Sequence, residues 1–175
     1  MTGSINKLLV ANRGEIAVRI IRAAKALGIP TVAACSEADA DSMAARMADE
    51  VQIIGPARAD KSYLNVQALL GALQASGANA VHPGYGFLSE NADFAKALKK
   101  AGIIFIGPPE SAMRVMALKD TAKAAMKKAG VPITPGYQGT DQSLVRLQKT
   151  AEGVGFPLLI KAVAGGGGKG MRAVH

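Results

Sequence analysis

Tryptophan is absent from this sequence, cysteine occurs once, and aromatic residues make up only 4% of the chain. A lone cysteine cannot form an internal disulfide, and Cys35 lies in the apolar run TVAAC, so we interpret it as a small buried residue rather than a nucleophile. Proteins that bind nucleic acid commonly stack bases on aromatic side chains. The scarcity of aromatics therefore disfavours nucleic-acid binding, despite a formal net charge of +8.

Long hydrophobic runs are also missing. No stretch of eighteen apolar residues occurs, and the start, MTGSINKLLVANRGE, lacks the long apolar core and cleavage site of a secretory signal. A hydrophobic content of 49% is still enough to build a core. We therefore predict a globular protein without membrane association, located in the cytoplasm, and leave the mitochondrial matrix open in case a transit peptide has been removed.

Short β-branched runs alternate with stretches of helical periodicity, which is typical of βαβ units and a parallel sheet. The predicted strands are residues 8–11, 31–35, 51–54, 79–82 and 103–106. The first predicted helix starts near Glu15 and ends at Gly28, and we expect it to bury the row formed by Ile16, Ile20, Ala23 and Leu27. Later helices end near Gly77 and Gly102. This pattern predicts one complete α/β domain over residues 1–115.

After Gly107 the pattern becomes mainly helical. Two consecutive helices are predicted over residues 111–118 and 120–129, so residues 116–135 are interpreted as a connector. Residues 136–175 then contain a helix from about Asp141, a strand FPLLIKAV (156–163), a glycine run and a possible short strand MRAV. We interpret this part as the beginning of a second domain.

The segment ANRGEIAVRIIR is the first candidate site, because it runs from a strand through a tight turn into a helix. Ligands gather at the carboxyl ends of strands in open α/β sheets. The dinucleotide fingerprint GxGxxG needs three glycines, however, and this turn has only Gly14. Nicotinamide binding is therefore disfavoured. The alternative is an ordinary strand-to-helix turn in which Asn12 and Arg13 bond to neighbouring backbone.

The segment HPGYGFLSEN (82–91) is the second candidate, again directly after a strand. Its proline and glycines impose an unusual backbone path, and polar groups are available close together. They are His82, Tyr85, Ser89 and Glu90. The competing interpretation is structural, with Ser89 capping the next helix, Glu90 in its first turn, and His82 as a core residue.

The third candidate is AVAGGGGKGMRAVH (162–175), which follows a strand that contains Lys161. A lysine between aliphatic residues is costly to bury unless it meets an anion, and a glycine run lets backbone N–H groups approach phosphate closely. The Walker pattern GxxxxGK[ST] is absent, because no serine or threonine follows Lys169. We therefore predict a mobile hairpin lid over a nucleotide rather than a P-loop or a disordered tail.

Six segments together resemble the biotin carboxylase component of biotin-dependent carboxylases. They are LLVANRGEIAVRIIRAAKALGI, SYLN, HPGYGFLSENADFA, FIGP, AMKKAGVP and IKAVAGGGGKGMR, in the family's order and at compatible spacing. The resemblance implies an ATP-grasp enzyme with a Rossmann-like first domain, followed by the start of the ATP-grasp lid domain. It also implies ATP, Mg²⁺ and biotin as cofactors. In this family ATP phosphorylates bicarbonate to carboxyphosphate, which delivers CO₂ to biotin.

The resemblance carries site residues over position by position. The ATP-binding positions are Lys119, Lys161, Gly165, Gly166, Gly167, Gly168, Lys169, Gly170 and Met171. Tyr85 and Glu90 match residues at the mouth of the biotin and bicarbonate site, and Arg22 matches a dimer-interface arginine. The acidic residue often found one turn after that arginine is Ala26 here, which weakens the expected contact.

The family's metal-binding glutamates, bicarbonate-holding residues and catalytic base are expected beyond residue 175. We therefore expect no catalytic residue and no metal ligand in this span, and an inactive chain when it is alone. Within the family, the chain resembles the biotin-bearing subunit of methylcrotonyl-CoA carboxylases, with other acyl-CoA carboxylases close behind. Expected partners are a biotin carboxyl carrier domain, a carboxyltransferase subunit and a second copy of the chain. Another ATP-grasp ligase and a non-catalytic dimerising module remain as alternatives.

Overall fold

A computed structural model describes residues 3–137, 139–162 and 170–175 of the chain. The chain divides into two compact units, Met1–Met113 and Arg114–His175.

The first unit is built on a five-stranded parallel sheet with the strand order β3-β2-β1-β4-β5. The strands are β1 Leu8–Val10, β2 Thr31–Cys35, β3 Glu50–Ile53, β4 Ala80–His82 and β5 Ile104–Phe105. Leu8 of the central strand pairs with Thr31 on one side and with Ala80 on the other. The predicted α/β fold with a parallel sheet is confirmed.

Helices cover both faces of this sheet, so its central strands are buried on both sides. They are α1 Gly14–Ala26 and α2 Met43–Met47 on one face, and α3 Val66–Ser76 and α4 Ala92–Lys100 on the other. Helix α5, Glu110–Met116, follows β5 and contains the boundary between the two units. Leu9 packs in one core cluster with residues of α3 and α4, whereas Leu8 and Val10 pack in another with residues of α1 and α2. A strand buried on two faces has no polar alternation, which explains the continuous apolar runs in the sequence.

The buried face of α1 differs from the predicted row by about one residue. Its buried residues are Ala17, Val18, Ile20, Ile21 and Ala24. Ala23 is exposed and Leu27 is 75% exposed, so both assignments were wrong. The observed spacing of three and four residues also makes a helical stripe, and only contact with the sheet distinguishes the two rows. Cys35 is buried as expected, and burial raises the pKa of its thiol to about 11.

Helix α2 was not predicted from the sequence. It has only five residues, too few to show a periodic apolar pattern. Ser42 caps its first turn by accepting a hydrogen bond from the Ala45 N–H at 3.2 Å.

In its described residues, the second unit contains two helices after the end of α5 and a two-stranded antiparallel sheet. The elements are α6 Lys119–Lys128, α7 Leu144–Val154, β6 Leu158–Ile160 and β7 Arg172–Val174. Helix α7 begins after the cap Ser143 rather than at Asp141. The strand predicted over 156–163 is confined to Leu158–Ile160 in the described residues, and Pro157 just before it has no N–H to donate to a sheet.

Candidate functional site

The sheet of the first unit has a topological switch point between β1 and β4. The chain leaves β1 toward β2 on one side and leaves β4 toward β5 on the other, so the two connections diverge. A crevice outside the carboxyl ends of such strands is where open α/β sheets bind ligands. The ANRG turn (residues 11–14) follows β1 and the HPGYG loop (residues 82–86) ends β4, so both predicted sites lie at this position.

Asn12 connects the ANRG turn to the HPGYG loop. Its side-chain Nδ2 donates one hydrogen bond to the Pro83 carbonyl at 2.7 Å and another to the Tyr85 carbonyl at 2.8 Å. Its Oδ1 accepts from the Arg13 N–H at 2.9 Å, and the residue is 6% exposed. The sequence indicated a contact with neighbouring backbone, whereas the principal partners lie more than seventy residues away.

The hydrogen bonds between the Asn12 side chain and the HPGYG loop require a glycine at position 84. Its φ of +65° lies in the left-handed region, where residues with a Cβ are strained. A Cβ at Gly84 would stand 2.7 Å from Asn12 Nδ2 and 3.1 Å from Ile16 Cγ1. A glycine at this position therefore lets the loop approach the Asn12 side chain closely.

Tyr85 is 60% exposed, and its hydroxyl donates a hydrogen bond to the Glu15 carboxylate. This hydrogen bond raises the pKa of the Tyr85 phenol above its ordinary value, because an ionised phenol would lose the bond and repel the carboxylate. The phenol therefore remains protonated at neutral pH. Tyr85 is held at its backbone by Asn12 and at its hydroxyl by Glu15.

The structural interpretation of Ser89 and Glu90 is wrong. Helix α4 is capped by Asn91, whose side chain accepts a hydrogen bond from the Phe94 N–H at 2.9 Å, and Asp93 is the acidic residue of its first turn. Glu90 is exposed and precedes this cap.

His82 is half-buried, and its Nδ1 accepts a hydrogen bond from the Gly84 N–H at 3.0 Å. Burial lowers the pKa of the imidazole, because the charged form is poorly solvated. A neutral His82 with an acceptor nitrogen bound to backbone is consistent with a structural role in shaping the HPGYG loop.

A polar and aromatic cluster beside the ANRG turn was missed by sequence reasoning. Tyr63 and Phe87 stack with ring centroids 5.0 Å apart, and the Arg13 guanidinium lies 5.6 Å from each centroid. Asp39 lies 3.7 Å from the guanidinium and accepts hydrogen bonds from the Ser36 and Tyr63 hydroxyls, both at 2.7 Å.

Burial by itself would raise the pKa of Asp39. The hydroxyl hydrogen bonds and the Arg13 charge outweigh burial, so the pKa lies below its ordinary value. The members of this cluster come from four separate loops. Their positions after successive strands were the only feature of the sequence that could have indicated that they lie together. The arrangement fixes the side chain of Arg13 and so stiffens the ANRG turn.

The ATP-binding candidates belong to the second unit. Lys161 directly follows β6 and Met171 directly precedes β7, so the two flank the Ile160–Arg172 pair at one end of the hairpin. Lys161 is exposed and Met171 is 43% exposed. The expectation that Lys161 lies buried inside the strand is therefore wrong, and the cost of burying its charge does not arise. Leu159 and Ile160 beside it are exposed as well.

Most of the other ATP-binding candidates lie outside the described residues. Gly165 to Lys169 lie outside the described residues, as does the side chain of Lys119, the first residue of α6. Gly170 has a φ of +73°.

The interface candidate Arg22 is exposed on α1 of the first unit. It lines a shallow cleft with Arg19 and with Met43 of α2.

Within residues 3–137, 139–162 and 170–175, histidine, cysteine and acidic side chains do not form a group of three or more that could hold a metal ion. In the same described part of the chain, every helix is too short or too polar to cross a membrane.

Two family models match the chain in succession. The model described as "Biotin carboxylase, N-terminal domain" matches residues 4–113. The model described as "Carbamoyl-phosphate synthase L chain, ATP binding domain" matches residues 119–175. The two matched ranges divide the chain close to the boundary between the compact units Met1–Met113 and Arg114–His175.

Curated relatives match along nearly the whole chain but are much longer. The mitochondrial methylcrotonoyl-CoA carboxylase subunit alpha of Mus musculus is 56% identical over 99% of this chain and 24% of its own length. Biotin carboxylase 1 of Bacillus subtilis is 52% identical over 98% of this chain and 38% of its own length. The chain therefore spans about a quarter to two fifths of these relatives.

Solved structures agree with this relationship. A biotin carboxylase complex with β-γ-ATP from Campylobacter jejuni superposes with a TM-score of 0.90 at 45% identity, over 98% of this chain and 38% of that one. The biotin carboxylase domain dimer of the Hydrogenobacter thermophilus 2-oxoglutarate carboxylase, with MgADP, ADP and bicarbonate, gives a TM-score of 0.87 at 45% identity and the same two coverages. The chain belongs to the biotin carboxylase family, whose N-terminal domain corresponds to residues 4–113.

Proposed function

We propose that this chain is the N-terminal part of a biotin carboxylase that uses ATP and bicarbonate to carboxylate biotin through carboxyphosphate. The observation that carries the proposal is the succession of the two family matches, over residues 4–113 and 119–175, on a fold shared with biotin carboxylase structures. Because the chain spans 24% to 38% of its relatives' lengths, the activity is assigned to a longer, full-length protein.

The reaction begins with attack of a bicarbonate oxygen on the γ-phosphorus of ATP, which breaks the bond to the β-phosphate and releases ADP. Catalysis of such a step depends on positioning and on neutralising the phosphate charge. We assign this role to Lys119, Lys161 and Lys169, with backbone N–H groups of residues 165–170 and an adenine contact from Met171. The exposure of Lys161 and Met171 at one end of the hairpin supports this assignment, since both remain available to a ligand.

Tyr85 and Glu90 are proposed to line the mouth of the biotin and bicarbonate site. Both are exposed, and both follow β4 at the topological switch point. When bound, Mg²⁺ neutralises phosphate charge, but the described residues offer no three-ligand cluster. We propose that the Mg²⁺ ligands belong to the rest of the full-length protein, as the resemblance to biotin carboxylases implies.

A biotin carboxyl carrier domain and a carboxyltransferase subunit are the proposed partners, and methylcrotonyl-CoA is the proposed final acceptor. The 56% identity to a methylcrotonoyl-CoA carboxylase subunit supports this acceptor. A homo-oligomer is proposed with Arg22 at its interface, supported by the exposure of Arg22 and by the dimer described for the Hydrogenobacter thermophilus relative. We propose a cytoplasmic location, and cell fractionation separates it from the mitochondrial location named for the mouse relative.

The test is ADP release by the full-length protein, with bicarbonate and free biotin supplied together, singly or not at all. We expect turnover only when both are present, and no turnover by the 175-residue chain alone. ATP hydrolysis that is indifferent to biotin would overturn the proposal. Turnover supported instead by an amine acceptor would indicate another ATP-grasp ligase.

A further inference from the structure

The ANRG turn and the HPGYG loop are joined by side-chain and backbone hydrogen bonds. The Ala11 N–H donates to the His82 carbonyl at 3.0 Å, which extends the pairing of β1 and β4 to the edge of the sheet. Beyond it, the buried Asn12 amide donates both of its hydrogens to carbonyls of the HPGYG loop, at 2.7 and 2.8 Å. The backbone on both sides of Gly84 is therefore fixed relative to the start of α1.

Glu15 adds a second restraint on the same loop. It lies in the first turn of α1, three residues after Asn12, and accepts a hydrogen bond from the Tyr85 hydroxyl. Tyr85 is thus held at its carbonyl and at its hydroxyl by two residues of one short motif.

Holding Tyr85 brings little stability to the fold. Its side chain is 60% exposed, so fixing it costs conformational entropy without burying much apolar surface. Phe87, two residues later, is partly buried and stacks on Tyr63, as expected for an aromatic residue that stabilises a loop. An exposed ring with two directed restraints is better explained by presentation to a ligand than by packing.

We propose that Asn12 and Glu15 are positioning residues that hold the Tyr85 ring and hydroxyl at the mouth of the biotin and bicarbonate site. The inference rests on the proposed function of Tyr85 and deepens it. Asn12 sets the backbone position of Tyr85, and Glu15 sets the direction of its hydroxyl. Neither residue needs to touch the substrate.

The hydrogen bond that the Tyr85 hydroxyl donates to the Glu15 carboxylate also favours the protonated form of the phenol. This bond raises the pKa of the Tyr85 phenol above its ordinary value, which extends the pH range over which the hydroxyl can donate. Removal of the Glu15 carboxylate lowers the pKa of Tyr85 toward its ordinary value. This change can be measured without any enzymatic turnover.

The kinetic test compares Asn12→Ala, Glu15→Ala, Glu15→Gln and Tyr85→Phe in the full-length protein. We expect Asn12→Ala and Glu15→Ala to raise the KM for biotin or bicarbonate about tenfold, as loss of a directed hydrogen bond predicts, with the KM for ATP within about twofold. Glu15→Gln keeps an acceptor oxygen and is expected to retain most of the affinity. Glu37→Ala removes another exposed carboxylate of the first unit and serves as the matched control.

The contact itself is tested by ¹³C NMR titration of tyrosine Cζ in the same full-length variants, with the Tyr85 signal assigned by its loss in Tyr85→Phe. We expect the pKa of Tyr85 to fall in Glu15→Ala and Glu15→Gln and to stay unchanged in Glu37→Ala. Glu15 lies at the surface, so its variants keep the inference testable if Asn12→Ala destabilises the fold.

Three results would overturn the inference, and they are distinguishable. If Glu15→Ala leaves the pKa of Tyr85 unchanged, the hydrogen bond between the Tyr85 hydroxyl and Glu15 does not form in the protein. A higher KM in Tyr85→Phe, but in neither Asn12→Ala nor Glu15→Ala, would leave the role of Tyr85 intact and refute positioning. Unchanged KM values in all the variants, with the pKa change present, would refute the proposed role of Tyr85, whereas failure of the proposed function appears separately as biotin-independent turnover.

Discussion

Gly84→Ala is expected to destabilise the first unit much more than Gly86→Ala. The two glycines have nearly the same backbone conformation, with φ of +65° and +67°. They differ in surroundings: a Cβ at Gly84 would overlap Asn12 Nδ2 at 2.7 Å, whereas a Cβ at Gly86 would have no neighbour within 4 Å. The pair therefore separates the backbone cost of a left-handed residue from the cost of disturbing Asn12.

The surroundings of the two glycines set the expected loss of unfolding free energy in each variant. A residue with a Cβ in the left-handed region costs about 1–2 kcal/mol, and this applies to both variants. At Gly84 the added methyl group must also displace the Asn12 amide, which is buried and cannot rotate without losing a hydrogen bond to Pro83 or Tyr85. Loss of that bond to a buried carbonyl adds about 1–3 kcal/mol. We expect about 2–5 kcal/mol for Gly84→Ala and about 1–2 kcal/mol for Gly86→Ala.

Urea denaturation of the 175-residue chain, followed by far-ultraviolet circular dichroism, measures both free energies of unfolding. Circular dichroism is the suitable probe because the chain has no tryptophan for fluorescence. Equal destabilisation by the two variants would refute the reasoning, since the Asn12 contact would then contribute nothing. A double variant, Asn12→Ala with Gly84→Ala, should remove most of the excess cost at Gly84, because the overlapping amide is gone and only the 3.1 Å approach to Ile16 Cγ1 remains.

Four other predictions follow from single residues. Phe94→Ala, at a fully buried position, should lower the free energy of unfolding by about 3–5 kcal/mol, whereas Leu27→Ala at a 75% exposed position should change it by less than about 0.5 kcal/mol in the same urea assay. Because the pKa of Asp39 is lowered on folding, its stabilisation is present above the ordinary aspartate pKa and is lost as the pH falls through the folded value, so Asp39→Asn should flatten the acid limb of the stability profile. Lys161→Ala in the full-length protein should weaken ATP binding by about 1.5–3 kcal/mol in calorimetry, and the exposed Lys149→Ala should not; equal effects would return Lys161 to an ordinary surface role. Thiol labelling of Cys35 at mildly alkaline pH should be slow in the folded chain and rapid in urea, because burial raises the thiol pKa to about 11.

Much of the first unit was predictable because its signals are local. The strands are short apolar runs, the helices end at glycines with a positive φ such as Gly28, Gly77 and Gly102, and the alternation of the two elements predicts a parallel sheet. The candidate segments after β1 and β4 were also correctly placed at strand ends. The six segments that resemble biotin carboxylases identified the family, which the family models confirm.

Other features depended on contacts that no local pattern encodes. The buried row of α1 differs from the predicted row because both have helical spacing and only the sheet selects one of them. Asn91 rather than Ser89 caps α4, since several residues at that helix start can act as a cap and the path of the loop decides between them. Lys161 is exposed, as are the neighbouring Leu159 and Ile160, although the apolar character of those neighbours suggested burial.

The sequence by itself therefore determined the strands and the longer helices of the first unit, the family and the positions where a ligand is expected. Only the tertiary structure decided that Asn12 reaches the Pro83 and Tyr85 carbonyls, that Glu15 receives the Tyr85 hydroxyl, and that Arg13 lies against Tyr63 and Phe87. The physical reason is sequence separation: these pairs are 50 to 74 residues apart, and only the strand order β3-β2-β1-β4-β5 brings the end of β4 beside the end of β1.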